Sequence, residues 1–115
     1  MQFRIWGKFP GMNEIVNADR RHWAIGAKLK KQSTEAILKQ LPNVKISTPA
    51  RFSFVLATST RKDPDNLSAG FSKAFFDALQ IKGLIPNDSI KEIVGISYAF
   101  LKADEDYVDV DINSD

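Results

Sequence analysis

RKDPDNLSAGFSKAFFDALQIKG, residues 61–83, is bounded at both ends like a helix. Asp63 stands where an N-cap belongs, Pro64 where the first helical residue belongs, and Gly83 just past the end, so the segment predicts a helix over 64–81. At about 100° per residue, Leu67, Phe71, Ala74, Phe75, Ala78 and Leu79 fall on one side. Asp65, Asn66, Lys73 and Asp77 fall on the other. A helix this divided docks its apolar side on a sheet and presents the four polar groups outward. Phe76 lies off the apolar side, which makes it a candidate for a subunit interface or for packing under a loop.

The flanking segments supply the sheet. Upstream, residues 44–58 predict one or two strands broken near Pro49, with Phe52, Phe54 and Leu56 alternating with Ser53, Val55 and Ala57. A polar turn, Ser59 to Pro64, joins them to the helix. Downstream, a strand at 91–101 follows Pro86 and Asn87, and an acidic hairpin turn, Asp104 to Asp106, leads to a half-exposed strand at 107–112. Toward the N-terminus, residues 2–9 predict a strand with Phe3, Ile5 and Phe9 on one face, closed by Pro10-Gly11. A helix from Asn17 or Asp19 to about Gln40 follows, with an imperfect apolar stripe of Trp23, Ala27, Thr34, Ile37, Leu38 and Leu41. The order βαββαββ predicts an α+β fold over residues 1–115, a single small domain whose mixed or antiparallel sheet carries two main helices.

Composition sets the outer limits. A chain of 115 residues, 43% hydrophobic and 26% charged, is of single-domain size and globular rather than disordered. No apolar run is long enough to span a membrane, and Arg4 and Lys8 interrupt any signal-like start, so a cytoplasmic location is expected. Cysteine is absent, which excludes disulfides, a zinc ribbon and a thiol nucleophile. Any metal is therefore held by oxygen or by the lone His22, which reads as a surface or packing residue.

Charge is unevenly divided. Residues 1–62 carry twelve Lys or Arg against three acids, a net of +9; residues 63–115 carry four Lys against eleven acids, a net of −7. A basic half suits a polyanion, and an acidic half with clustered aspartates suits divalent cations.

Asp63 and Asp65 are close enough to raise one another's pKa unless a cation intervenes. Mg²⁺ takes hard oxygen ligands, and a few carboxylates with water and substrate phosphate complete its shell. DPDN is equally the start of a well-capped helix. A metal centre is favoured by the wider constellation: DPDN, Lys73 and Asp77 on the same helical side, and an Asn-Asp-Ser turn at 87–89.

The stretch from 61 to 93, RKDPDNLSAGFSKAFFDALQIKGLIPNDSIKEI, resembles the RusA family of Holliday junction resolvases, including its phage-borne members. The likeness lies in D-x-D-N, then K-x-x-x-D-x-L, then a turn ending in aspartate; Pro10-Gly11-Met12-Asn13 is similar to a Pro- and Asn-containing loop after the family's first strand. The resemblance implies a homodimeric endonuclease in a bacterial cell, of host or phage origin, that cuts four-way DNA junctions. It implies that Asp63, Asp65 and Asp88 bind Mg²⁺, with Mn²⁺ as a substitute, and that Lys73 is the catalytic lysine. One departure concerns that lysine. In the familiar motif it lies four residues after the second aspartate, where this chain has Ala69; Lys73 lies eight after Asp65, one more helical turn away. Lys62 or Arg61 could serve in its place, and Asn13, Arg20, Arg21, Lys28, Lys30, Lys31, Arg61 and Lys62 are expected to contact DNA. No small-molecule cofactor is expected. Two other readings stay open: a non-catalytic DNA-binding or phage-assembly module, and a nuclease for other branched or single-stranded DNA.

Overall fold

A computed structural model describes residues 1–60 and 63–115; the expected DNA contacts Arg61 and Lys62 lie outside the described residues. The elements run β1 (Gln2–Trp6), α1 (Met12–Arg21), α2 (Trp23–Leu38), β2 (Ala50–Thr58), α3 (Pro64–Ile81), β3 (Ile93–Lys102) and β4 (Tyr107–Ser114). The strands form one mixed sheet in the order β1-β4-β2-β3. β4 is antiparallel to both β1 and β2, whereas β2 and β3 are parallel and joined through α3. The molecule is a compact α+β domain of three helices and four strands among the described residues.

Registry explains the two faces of the sheet. Ile5 pairs with Val108, Phe52 with Ile112 and Phe54 with Val110, and all of these side chains are buried. Their neighbours in sequence form the other face, where Arg4 pairs with Asp109 and Ser53 with Asp111. There Arg4 donates to both carboxylate oxygens of Asp109 (2.6 and 3.0 Å) and lies over the Tyr107 ring, and the Asp109 bond raises the guanidinium pKa further. α3 covers the apolar face as its spacing predicts: Leu67, Phe71, Ala74, Phe75, Ala78 and Leu79 are all buried. Phe76 is buried with them, its ring edge-on to Phe52 (centroids 5.1 Å apart), so it belongs to the core and not to a subunit interface. Phe54 is the hub of this cluster, touching the rings of Phe71, Phe75, Phe76 and Tyr98.

Four expectations are corrected. The long first helix is two helices, α1 and α2, which makes the order βααβαββ. Its break is His22, whose extended backbone ends α1 and whose Nδ1 accepts the Ala24 N–H to cap α2 (3.1 Å). The two helices then close on each other at Gly26, where a Cβ would collide with the Asp19 carboxylate. Trp23, expected in the apolar stripe, is instead 74% exposed beside the His22 ring. No strand forms at 44–48; the Ile46 N–H bonds the Leu84 carbonyl instead (3.0 Å). The Asp104–Asp106 turn closes no hairpin, because β2 lies between β3 and β4, and Asp106 accepts bonds from the Ser59 N–H and hydroxyl.

Truncating the hub should be costly, since Phe54 is 1% exposed and the rings around it cannot all collapse inward. Phe54→Ala is expected to lose about 3–5 kcal/mol of unfolding free energy in urea titration, with little change in slope. A loss under about 1 kcal/mol would show that the cluster does not hold α3 on the sheet.

Candidate functional site

The site is built where α1 and α3 begin. The Pro10-Gly11 turn passes so close to α3 that a Cβ on Gly70 would lie 2.3 Å from the Pro10 carbonyl oxygen. A Cβ on Gly11 would meet the Asn66 amide. Gly70 is therefore demanded by close approach of backbone, and Gly11 by the Asn66 side chain packed on it. Within the contact, Asn66 Oδ1 accepts the Asn13 N–H, and the Gly11 N–H donates to Glu14 (3.4 Å). The first turns of the two helices are thereby fixed side by side around an open cleft lined by Met12, Asn13, Asp63, Pro64, Asp65 and Asn66.

Asp63 adopts N-cap backbone geometry, yet its side chain makes no capping hydrogen bond with α3. The Asp63 carbonyl accepts the first helical bond, from Leu67 (3.0 Å), while its carboxylate stays exposed. Asp65 is exposed one turn inside, where the positive end of the helix dipole favours an anion. The capping explanation of DPDN therefore does not account for the Asp63 carboxylate. On the upstream side, Asp106 grips Ser59 and so anchors the start of the turn that leads to Asp63.

The other expected residues are distributed around this centre. Asn13 is brought to it directly. Asp88 is not: it is exposed in the loop after α3, and α3 has 18 residues. A helix of that length spans about 27 Å. β3 starts just beyond Asp88 and runs parallel to β2, which ends just before Asp63, so the two acidic positions lie at opposite ends of the sheet. Among the described residues no group of three Asp, Glu or His side chains is positioned to hold a metal. The expected Asp63–Asp65–Asp88 set is thus not assembled within one chain. Asp63 and Asp65 by themselves fit a Mg²⁺ ion that keeps several waters, because Mg²⁺ commonly takes one or two carboxylates and leaves its remaining positions for water and phosphate.

Lys73 points away from the aspartates. Its ammonium pairs with Asp77 (3.3 Å), one turn further along α3, and it borders a groove shared with Lys30 of α2. Of the basic residues, Lys30 pairs with Asp19 (3.1 Å) and Lys31 with Glu35 (4.0 Å). Arg20 and Arg21 are exposed at the end of α1, and Lys28 is exposed on α2. No helix among the described residues is long and apolar enough to cross a membrane. No protein-family model matches the chain, and no curated protein matches it in sequence.

Three features of the site escaped the sequence reading: the Asn13–Asn66 bond, the Asp106–Ser59 anchor and the requirement for Gly70. Only the last left a signal, a glycine in the middle of a strong helix.

Gly70→Ala tests the close approach. The added methyl would push against backbone, so a loss of about 1–3 kcal/mol is expected, with chemical-shift changes centred on Asn13 and Asn66. Unchanged stability, or a gain from the better helix former, would mean that the two helix starts are not packed this closely.

Proposed function

We propose that this chain is a Mg²⁺-dependent, structure-specific endodeoxyribonuclease that resolves four-way Holliday junctions as a two-fold symmetric homodimer. The observation carrying the proposal is the pair of exposed aspartates, Asp63 and Asp65, with Asp63 not used as a cap, at two helix starts that also present Asn13. The sequence likeness at DPDN, and the +9 charge of residues 1–62, support the same reading.

Bound Mg²⁺ would supply charge neutralisation at a scissile phosphate and a water of lowered pKa. The protein's own contribution is to hold Asp63 and Asp65 on a rigid helix start, with Asn66 locked to Asn13 so that the cleft keeps its shape. The positive dipole ends at the first turns of α1 and α3 add attraction for phosphate. Arg20, Arg21 and Lys28 then engage backbone phosphates away from the cut, giving salt-dependent binding with little sequence content. Lys73, paired with Asp77, is a weaker candidate for transition-state stabilisation than the resemblance implies. Two symmetric cuts need two centres related by a two-fold axis, hence the homodimer. The separation of Asp88 from Asp63 favours one rival, a DNA-binding module without catalysis.

Asp65→Asn separates the two. On a mobile four-way junction it is expected to abolish Mg²⁺-dependent cleavage while preserving or tightening junction binding. Cleavage at the wild-type rate would remove Asp65 from the mechanism, and a wild-type protein that binds the junction but never cuts it would favour the rival.

A further inference from the structure

The joint between α1 and α2 carries an uncovered ring. Trp23, the first residue of α2, is 74% exposed, the most exposed aromatic side chain among the described residues. Its one ring contact among them is His22, stacked at 5.8 Å between centroids and 25° between planes. His22 is itself held, because its Nδ1 accepts the Ala24 N–H. The indole is thus half of a stack, backed by a fixed imidazole and otherwise open to solvent. A tryptophan left in water forgoes one of the largest gains of burial that a side chain can make. Cations surround it. Residues 15–34 carry five Lys or Arg against one acid, Asp19, and Lys30 already pairs with that acid (3.1 Å). Arg20 and Arg21, exposed in the last turn of α1, have no ion-pair partner among the described residues. Arg21 and Lys28 line a groove between α1 and α2 with Asn17, Ile25 and Gln32; Glu14 borders it too, accepting the Gly11 N–H. Asn13, Asn17 and Arg20, at i, i+4 and i+7, form an exposed line along α1 from the acidic cleft to this joint.

We propose that Trp23 is a stacking platform for an unpaired DNA base, with Arg20, Arg21 and Lys28 holding phosphates of the same strand. Bases inside a continuous duplex are already stacked on both faces, so the indole selects strands with unpaired bases, as at a junction, a flap or a single-stranded tail. A ring set among cations suits such a strand whatever its sequence, because every base offers a π-face and every phosphate a charge. The length of α1 sets the distance to the cleft. Ten residues cover about 15 Å, roughly four nucleotides at 3.4 Å per stacked step. A phosphate at Asp63 and Asp65 would therefore set the stacked base about four nucleotides along the strand. That register rests on the nuclease reading, which it deepens; the stack itself requires only DNA with unpaired bases.

Tryptophan emission reads the stack directly, since the chain has two tryptophans, Trp6 and Trp23. In EDTA, so that nothing is cut, a short oligothymidine strand is expected to quench the wild type and Trp6→Phe but not Trp23→Phe. Trp23→Phe should keep its affinity, because a phenyl ring still stacks, while Trp23→Ala should lose roughly 5- to 100-fold. An abasic strand of equal length should bind the wild type and Trp23→Ala alike, and so should blunt duplex. Quenching that survives Trp23→Phe, or equal affinity of the wild type and Trp23→Ala for oligothymidine, overturns the platform. If Trp23→Ala fails to fold, the Trp6→Phe and Trp23→Phe emissions decide alone. A chain that is quenched by single strands yet never cuts a junction keeps the stack and loses the nuclease reading. One that cuts junctions without being quenched loses the stack alone.

Discussion

Everything in this molecule is measured out along α3, and α3 is held by rings. Phe71, Phe75 and Phe76 of the helix meet Phe52 and Phe54 of β2, mostly edge to face, with centroids between 5.1 and 6.3 Å apart. Aromatic pairs in this geometry are worth about 0.5–1.5 kcal/mol beyond the area they bury, and here they share partners, so shifting one ring disturbs the rest. The helix is consequently a fixed ruler of five turns, about 27 Å long.

One end carries the candidate site. The start of α3 carries Asp63 and Asp65, the start of α1 carries Asn13, and Gly70 lets the Pro10-Gly11 turn approach α3 within backbone contact. Both carboxylates are exposed there, at a helix start whose dipole favours anions. The opposite end carries Asp88 and the start of β3, whose apolar edge lies open.

Much of this was legible in the amino-acid sequence because it depends on local rules. Pro64 after Asp63 and Gly83 after Ile81 bracket α3, and period-2 alternation in 52–57 and 107–112 marks strands and their buried faces. What was hidden depends on tertiary contact. His22 breaks the first helix only because its ring can cap the next one, and Trp23 is pushed outward by the same break. Phe76 sits off the ideal apolar stripe but is buried because the β2 phenylalanines reach it. For the site, the pattern D-x-D-N put two acids at one cleft, while the spacing to Asp88 gave no hint that the length of α3 keeps it distant. That Lys73 shares a helical side with Asp77 was visible in the sequence; that the two pair was not.

The central claim is that Asp63 and Asp65, at the joined starts of α1 and α3, hold a divalent cation. Amide NMR spectra recorded with substoichiometric Mn²⁺ test it most directly, since the paramagnetic ion broadens signals only near where it binds. The account expects broadening at Asp63, Asp65, Asn66 and Asn13, lost in Asp65→Asn. Uniform weak broadening, or a focus on Asp104–Asp106 with the α3 start unaffected, would contradict it.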